Sequence, residues 1–179
     1  MSPVLLTPDQ FPACTTPLAD LLMDVVAGGG SLGFLDGLTR DEAIAWWRER
    51  TPAVTSGDIE VWVVRDTDGR CLGTITLGFS GMPNGAHRAE VRKLMVHSAA
   101  RGRGLGRVLL ATAERAAAER GITLLVLDTE TDSPAERFYR AAGWQRVGTI
   151  PDYAADPAGV LRPTTLYYKR PGERAGSAA

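Results

Sequence analysis

Histidine and cysteine are scarce in this chain: His87, His97, Cys14 and Cys71 are the only ones among 179 residues. With no CxxC or HExxH spacing around them, they argue against a metal site. Two cysteines cannot build a disulfide framework and read as packing residues in a reducing cytoplasm. No uninterrupted apolar run approaches the ~18 residues of a membrane span. The opening MSPVLLTPDQF lacks the charged start and long apolar centre of a secretory signal, so a cytoplasmic protein is expected. Charge of one sign is missing as well. A formal net charge of -1 gives no overall field for nucleic acid or an anionic membrane, so neither is an expected partner. An anion would have to be held by a local cluster. Internal repeats are absent too.

What is present predicts a single α/β domain over residues 1–170, with the tail Pro171–Ala179, PGERAGSAA, disordered. Thr16-Pro17 offers a helix start, with Leu18, Leu21, Leu22, Val25 and Val26 at helical spacing up to Gly28. GGGSLGF then connects to a second helix, opened by the capping box Thr39-Arg40-Asp41-Glu42 and running through Trp46 and Trp47. One of these adjacent tryptophans must pack inward while the other faces a pocket or a partner subunit. From Asp58 the period becomes two: DIEVWVVR, CLGTITLGF and RAEVRKLMVH read as three antiparallel strands. A helix with Leu105, Val108, Leu109, Thr112, Ala113 and Ala116 on one side stops before Gly121. ITLLVL, residues 122–127, reads as a strand buried on both faces, typical of a parallel pair. Ser133-Pro134-Ala135-Glu136 opens a last helix, and Trp144–Ile150 and Thr164–Lys169 close the sheet. The expected fold is a mixed central sheet flanked by helices.

Chemistry concentrates in KLMVHSAARGRGLGRVLLATAERA. A strand runs into Arg101-Gly102-Arg103-Gly104-Leu105-Gly106-Arg107 and a helix begins at once. Glycines let amides converge on a ligand, and a helix start adds unpaired N–H groups and partial positive charge. With three arginines this is a cradle for pyrophosphate. A Walker loop is absent, and the dinucleotide pattern GxGxxG would need glycine where Arg107 stands.

The remaining pattern, Arg101, Gly104 and Gly106 followed by LDTETDSPAERFYRAAGW, resembles the GCN5-related N-acetyltransferases over about Asp58 to Lys169. AEVRKLMV, LDTE, AERFYRAAGW and LRPTTLYYK resemble more narrowly the tabtoxin-resistance acetyltransferases, which act on a small β-lactam toxin. The resemblance implies acetyl-CoA as cosubstrate, no metal, and transfer to an amine by direct attack in a ternary complex. A small-molecule amine, toxin or antibiotic is the expected acceptor. A protein lysine or N-terminus, and a non-catalytic acyl-CoA sensor, are the alternatives, and a homodimer is compatible with either.

By the same resemblance Leu94, Met95 and Val96 would offer free backbone groups to pantetheine and the thioester. The amides and side chains of Arg101, Gly102, Arg103, Gly104, Leu105, Gly106 and Arg107 would take the pyrophosphate. Ser133, Phe138 and Tyr139 would line the coenzyme, although Phe138 also reads as core. A phenol stays protonated at pH 7 and can donate to a departing thiolate, which suits Tyr139; otherwise it is a buried aromatic. Two carboxylates compete as base. Glu90 would act through water or else pair with Arg88 or Arg92. Asp128 follows the buried run, where ligands collect in α/β sheets, or else caps a loop. Glu130 and Asp132 read as solvated charges, and His97 as a hydrogen-bonded surface residue.

Overall fold

A computed structural model of the chain describes residues 2–172. Apart from its first two residues, the segment expected to be a disordered tail lies outside them. The apolar segments meet in one sheet of seven strands: β1 (Val4–Leu5), β2 (Ile59–Arg65), β3 (Cys71–Phe79), β4 (Arg88–Val96), β5 (Leu124–Glu130), β6 (Gln145–Ala155) and β7 (Leu161–Lys169). Their spatial order is β1-β2-β3-β4-β5-β7-β6. β4 and β5 pair in parallel, and the other pairings are antiparallel. The helices are α1 (Phe11–Ala27), α2 (Arg40–Arg48), α3 (Thr51–Thr55), α4 (Leu105–Glu119) and α5 (Pro134–Ala141). This is the expected single α/β domain with a mixed sheet.

Two apolar cores lie on opposite faces of the sheet. Val61 and Val63 of β2 join Phe11, Leu18, Leu22 and Trp47 under α1, α2 and α3. Trp62 and Val64, pointing the other way, join Leu109, Ala113, Leu125 and Tyr139 under α4 and α5. Strands covered on both faces read as apolar runs, which is why DIEVWVVR buries all of Val61 to Val64.

Several local expectations shift. α1 begins well before Thr16, and Pro17 lies inside it. The signal is earlier: Thr7 N donates to Gln10 Oε1 at 3.2 Å, and Gln10 N to Thr7 Oγ1 at 3.3 Å. That reciprocal pair is a capping box, and Pro12 fits the first turn. Pro17 removes one interior hydrogen bond, but Phe11, Cys14 and Leu18 are buried on either side of it and hold the helix down. α3 was not expected. On α4 the buried residues are Leu109, Leu110, Ala113 and Ala117, whereas Val108 is exposed. β5 starts two residues later than expected and runs on through Asp128 to Glu130, because β7 pairs with it that far. Where α4 crosses β3 the sheet carries Gly73. A Cβ there would come within 2.9 Å of Leu109 Cδ1 and 3.1 Å of the Met95 carbonyl. Glycine lets α4 lie close and sets its N-terminus past the end of β4.

Candidate active site

Beyond β4 a single 3-10 turn, Ser98–Ala100, leads into the arginine–glycine loop. Ala100 N and Arg101 N bond back to His97 and Ser98, while Arg107 N and Val108 N bond to the Gly104 carbonyl. Between them the amides of Gly102, Arg103, Gly104, Leu105 and Gly106 have no protein acceptor among the described residues. Gly104 caps α4 at φ 77° in the left-handed region, which a side chain would strain. No acidic residue occupies the first turn of α4. A row of free amides thus sits at the positive pole of a helix, flanked by the exposed Arg103 and Arg107.

Arg101 is exposed as well. Its Nε donates to the Val96 carbonyl at 3.3 Å, tying the loop back to its strand. Asp24 of α1 holds the loop from the other side, accepting from Ser98 N and Ser98 Oγ, both at 2.7 Å. Burial works against the Asp24 charge, but the Ser98 bonds, His97 and Arg101 outweigh it and hold the carboxyl below its usual range. His97 is hydrogen-bonded as expected, its Nδ1 accepting from Ala99 N at 3.1 Å.

The parallel pairing of β4 and β5 covers only Arg88, Ala89 and Glu90 against Leu124, Leu125 and Val126. Past that point the strands part, leaving the β5-facing side of β4 open through Leu94, Met95 and Val96. β4 keeps its β3 partner, with a bulge between the Thr76–Arg92 and Thr74–Met95 pairs. The Met95 side chain is buried under α1, whereas Leu94 and Val96 pack on the α4 side. A cleft of about 460 Å³ opens here, lined by Leu94, Glu90, Asp128, Tyr139, Trp46 and Lys93 among others.

Tyr139 is 8% exposed and packs edge-on against Phe138 and Trp144. Burial, and then the charge of Asp128, push its phenol above the ordinary tyrosine range. Phe138 also reaches the foot of α4, its Cζ 3.7 Å from where a Gly106 Cβ would stand. Ser133 is engaged as a cap, accepting from Glu136 N at 3.1 Å. Its box is incomplete, because Glu136 Oε2 takes the Asp132 amide at 2.6 Å instead of that of Ser133. The two carboxylates differ in partners. Glu90 is ion-paired with Arg92. Asp128 is exposed, accepts only a long 3.3 Å bond from Thr164 Oγ1, and has no ion pair among the described residues.

A row of free amides at the foot of α4 thus lies beside a parted strand pair, and a buried tyrosine and an exposed aspartate line one cleft. The acetyltransferase (GNAT) family model matches residues 30–144. The chain belongs to that family. Its members are acetyl-CoA-dependent N-acetyltransferases, and solved structures share the fold. A Salmonella typhimurium protein determined with its cofactor acetyl-CoA is 20% identical, covering 100% of this chain and 99% of that one, at a TM-score of 0.73. A ribosomal-protein-alanine N-acetyltransferase from Brucella melitensis is 23% identical, with 93% and 99% covered and a TM-score of 0.72. An N-acetyltransferase from Staphylococcus aureus Mu50 is 18% identical, with 95% and 99% covered and a TM-score of 0.75.

In this acetyltransferase the sequence reading missed Lys93. It holds φ 49° at the β4 bulge, a conformation that costs a non-glycine residue on the order of 1–3 kcal/mol. Its ammonium donates to the Leu32 carbonyl at 2.6 Å and lies 5.1 Å from the Trp46 ring centre and 5.5 Å from that of Phe34. Burial first, then the Arg50 guanidinium, lower its pKa from the lysine value, against the pull of Asp128. Of the tryptophan pair, Trp47 is 1% exposed and packs in the core while Trp46 is half-buried, and both border the cleft. Among the described residues no group of three histidine, cysteine or acidic side chains could hold a metal ion.

Proposed function

We propose that the enzyme acetylates the amine of a small molecule by direct attack, with Asp128 as base and Tyr139 as acid. The observation that carries this reading is the row of unpartnered amides from Gly102 to Gly106 at the foot of α4. Those amides, with Arg101, Arg103 and Arg107, would take the pyrophosphate of acetyl-CoA. Phe138, against the foot of α4, and Ser133 would line the coenzyme, and the open side of β4 at Leu94, Met95 and Val96 would pair with pantetheine. When bound, acetyl-CoA supplies a thioester open to attack by an uncharged amine. Asp128, without an ion pair among the described residues, attracts the ammonium form and takes its proton, leaving the lone pair for attack. Tyr139, kept protonated by burial, donates to the sulfur as the carbon–sulfur bond breaks. Glu90, neutralised by Arg92, contributes less. A cleft of about 460 Å³ suits a small ligand, and the resemblance to tabtoxin-resistance acetyltransferases points the same way.

The test follows coenzyme A thiol release across a panel of amines. With an accepted amine, Tyr139→Phe is expected to lower turnover by roughly 100-fold with acetyl-CoA affinity retained. Asp128→Asn is expected to cost more turnover than Glu90→Gln. The reverse order would move the base to Glu90, and unchanged turnover in Tyr139→Phe would return that residue to packing.

A further inference from the structure

We infer that the acceptor is a small amino carboxylate, its carboxylate held by Trp47, Thr76 and Lys93 and its amine presented to Asp128. The inference rests on the acetyl-transfer reading and names its second substrate. Trp47 Nε1 and Thr76 Oγ1 are the buried side-chain polar atoms left without a partner among the described residues. The two residues are 1% and 5% exposed, and both line the cleft that holds Asp128 and Tyr139. Protein interiors satisfy such atoms, so two orphans in one cleft mark a ligand position. An indole N–H can only donate, so the ligand group against it must offer an acceptor oxygen.

Lys93 adds charge to the same demand. An ammonium carries three donors, and among the described residues Lys93 bonds only to Leu32. Arg50 lies on the same wall, its guanidinium 3.5 Å from the Trp46 ring centre. The opposite wall, from β5, carries Asp128 and Glu130. Between the walls Glu90 and Arg92 of β4 pair with each other, so the cleft is polarised, with Lys93 and Arg50 near Trp46 and, toward β5, carboxylates that have no ion pair among the described residues. A simple monoamine would satisfy one wall and leave Lys93 facing a ligand with nothing to accept its hydrogens. An amino carboxylate meets both walls at once.

The probes are matched pairs of L-amino acids and their carboxamides, with one short peptide bearing a free N-terminus. Binding is measured by calorimetry in the presence of coenzyme A, and acetylation by thiol release with acetyl-CoA. The acids are expected to bind roughly 10- to 100-fold more tightly than their amides, the effect of a charge-assisted pair. Lys93→Met is expected to shrink that ratio toward one. Thr76→Val, which keeps the side-chain shape, is expected to weaken acid binding while the thermal midpoint holds or rises. Acids and amides turned over alike, preference for the peptide, or no binding by any acid would overturn the inference. Equal thiol release from acid and amide would do so while leaving acetyl transfer intact. Carboxylate-dependent binding without thiol release would overturn the amino carboxylate as acceptor and leave only a carboxylate-binding site.

Discussion

Glu136 begins as a helix-cap residue and ends as a cross-brace. Its two carboxylate oxygens accept from the Asp132 amide at 2.6 Å and the Tyr167 hydroxyl at 2.8 Å, joining the start of α5 to β7. Burial opposes its charge, yet these bonds, with Thr165 and Arg140, hold its carboxyl below the usual range. A depressed pKa means the contribution is full above the unfolded value of about 4.3 and fades as pH falls through the folded one. Glu136→Gln should therefore lose about 1.5–3 kcal/mol at pH 7, a charged hydrogen bond's worth. In urea denaturation the gap from wild type should narrow below about pH 4. An equal gap at both pH values would show that packing, not charge, is what the substitution removes. The capping box in the sequence located this glutamate but not its use. Tyr167 arrives from a strand 31 residues away, and no local spacing reports that.

At the scale of the element, α2 presents both tryptophans, and its start is secured by one threonine. Thr39 Oγ1 accepts from Glu42 N at 3.3 Å, and Glu42 Oε2 returns a bond from Thr39 N at 2.8 Å. Thr39→Ala should cost about 1 kcal/mol, which is about 2–4 °C of thermal midpoint in a chain of this length. Since α2 meets the cleft and not the amide row, acceptor KM should rise while acetyl-CoA affinity holds. A matching loss of coenzyme affinity would show that the two halves of the site are coupled through α1 and Asp24. α2 was legible because a capping box is a four-residue signal. α1 carries the same kind of signal at Thr7–Gln10, but Thr16-Pro17 offered a competing start. A proline there looks like a beginning, although Phe11 already packs on Trp47, rings 6.3 Å apart.

For the whole molecule, element order and the arginine–glycine loop could be read from period, glycine placement and chain direction. Both are local properties. The proposed carboxylate pocket could not. Lys93 reads as one polar residue in an alternating strand until β3 and β4 pair with a bulge, and the orphaned Trp47 and Thr76 atoms exist only once α2 lies on the sheet. The brief contact of β4 with β5 has a consequence in time as well as in space. A parallel pair held at three positions leaves the β4 amides beyond Glu90 that do not bond to β3 open to solvent hydrogen exchange, in the middle of an otherwise closed sheet. A bound pantetheine would stand in for the missing strand. Acetyl-CoA at a hundred times its Kd should then slow exchange at those amides by on the order of 100-fold, with the Ala89–Leu125 region already slow without it. Slowing confined to Gly102–Gly106 would mean that the coenzyme is gripped by its phosphates alone. A molecule whose central sheet was finished by its own substrate in this way would be most rigid only while it is at work.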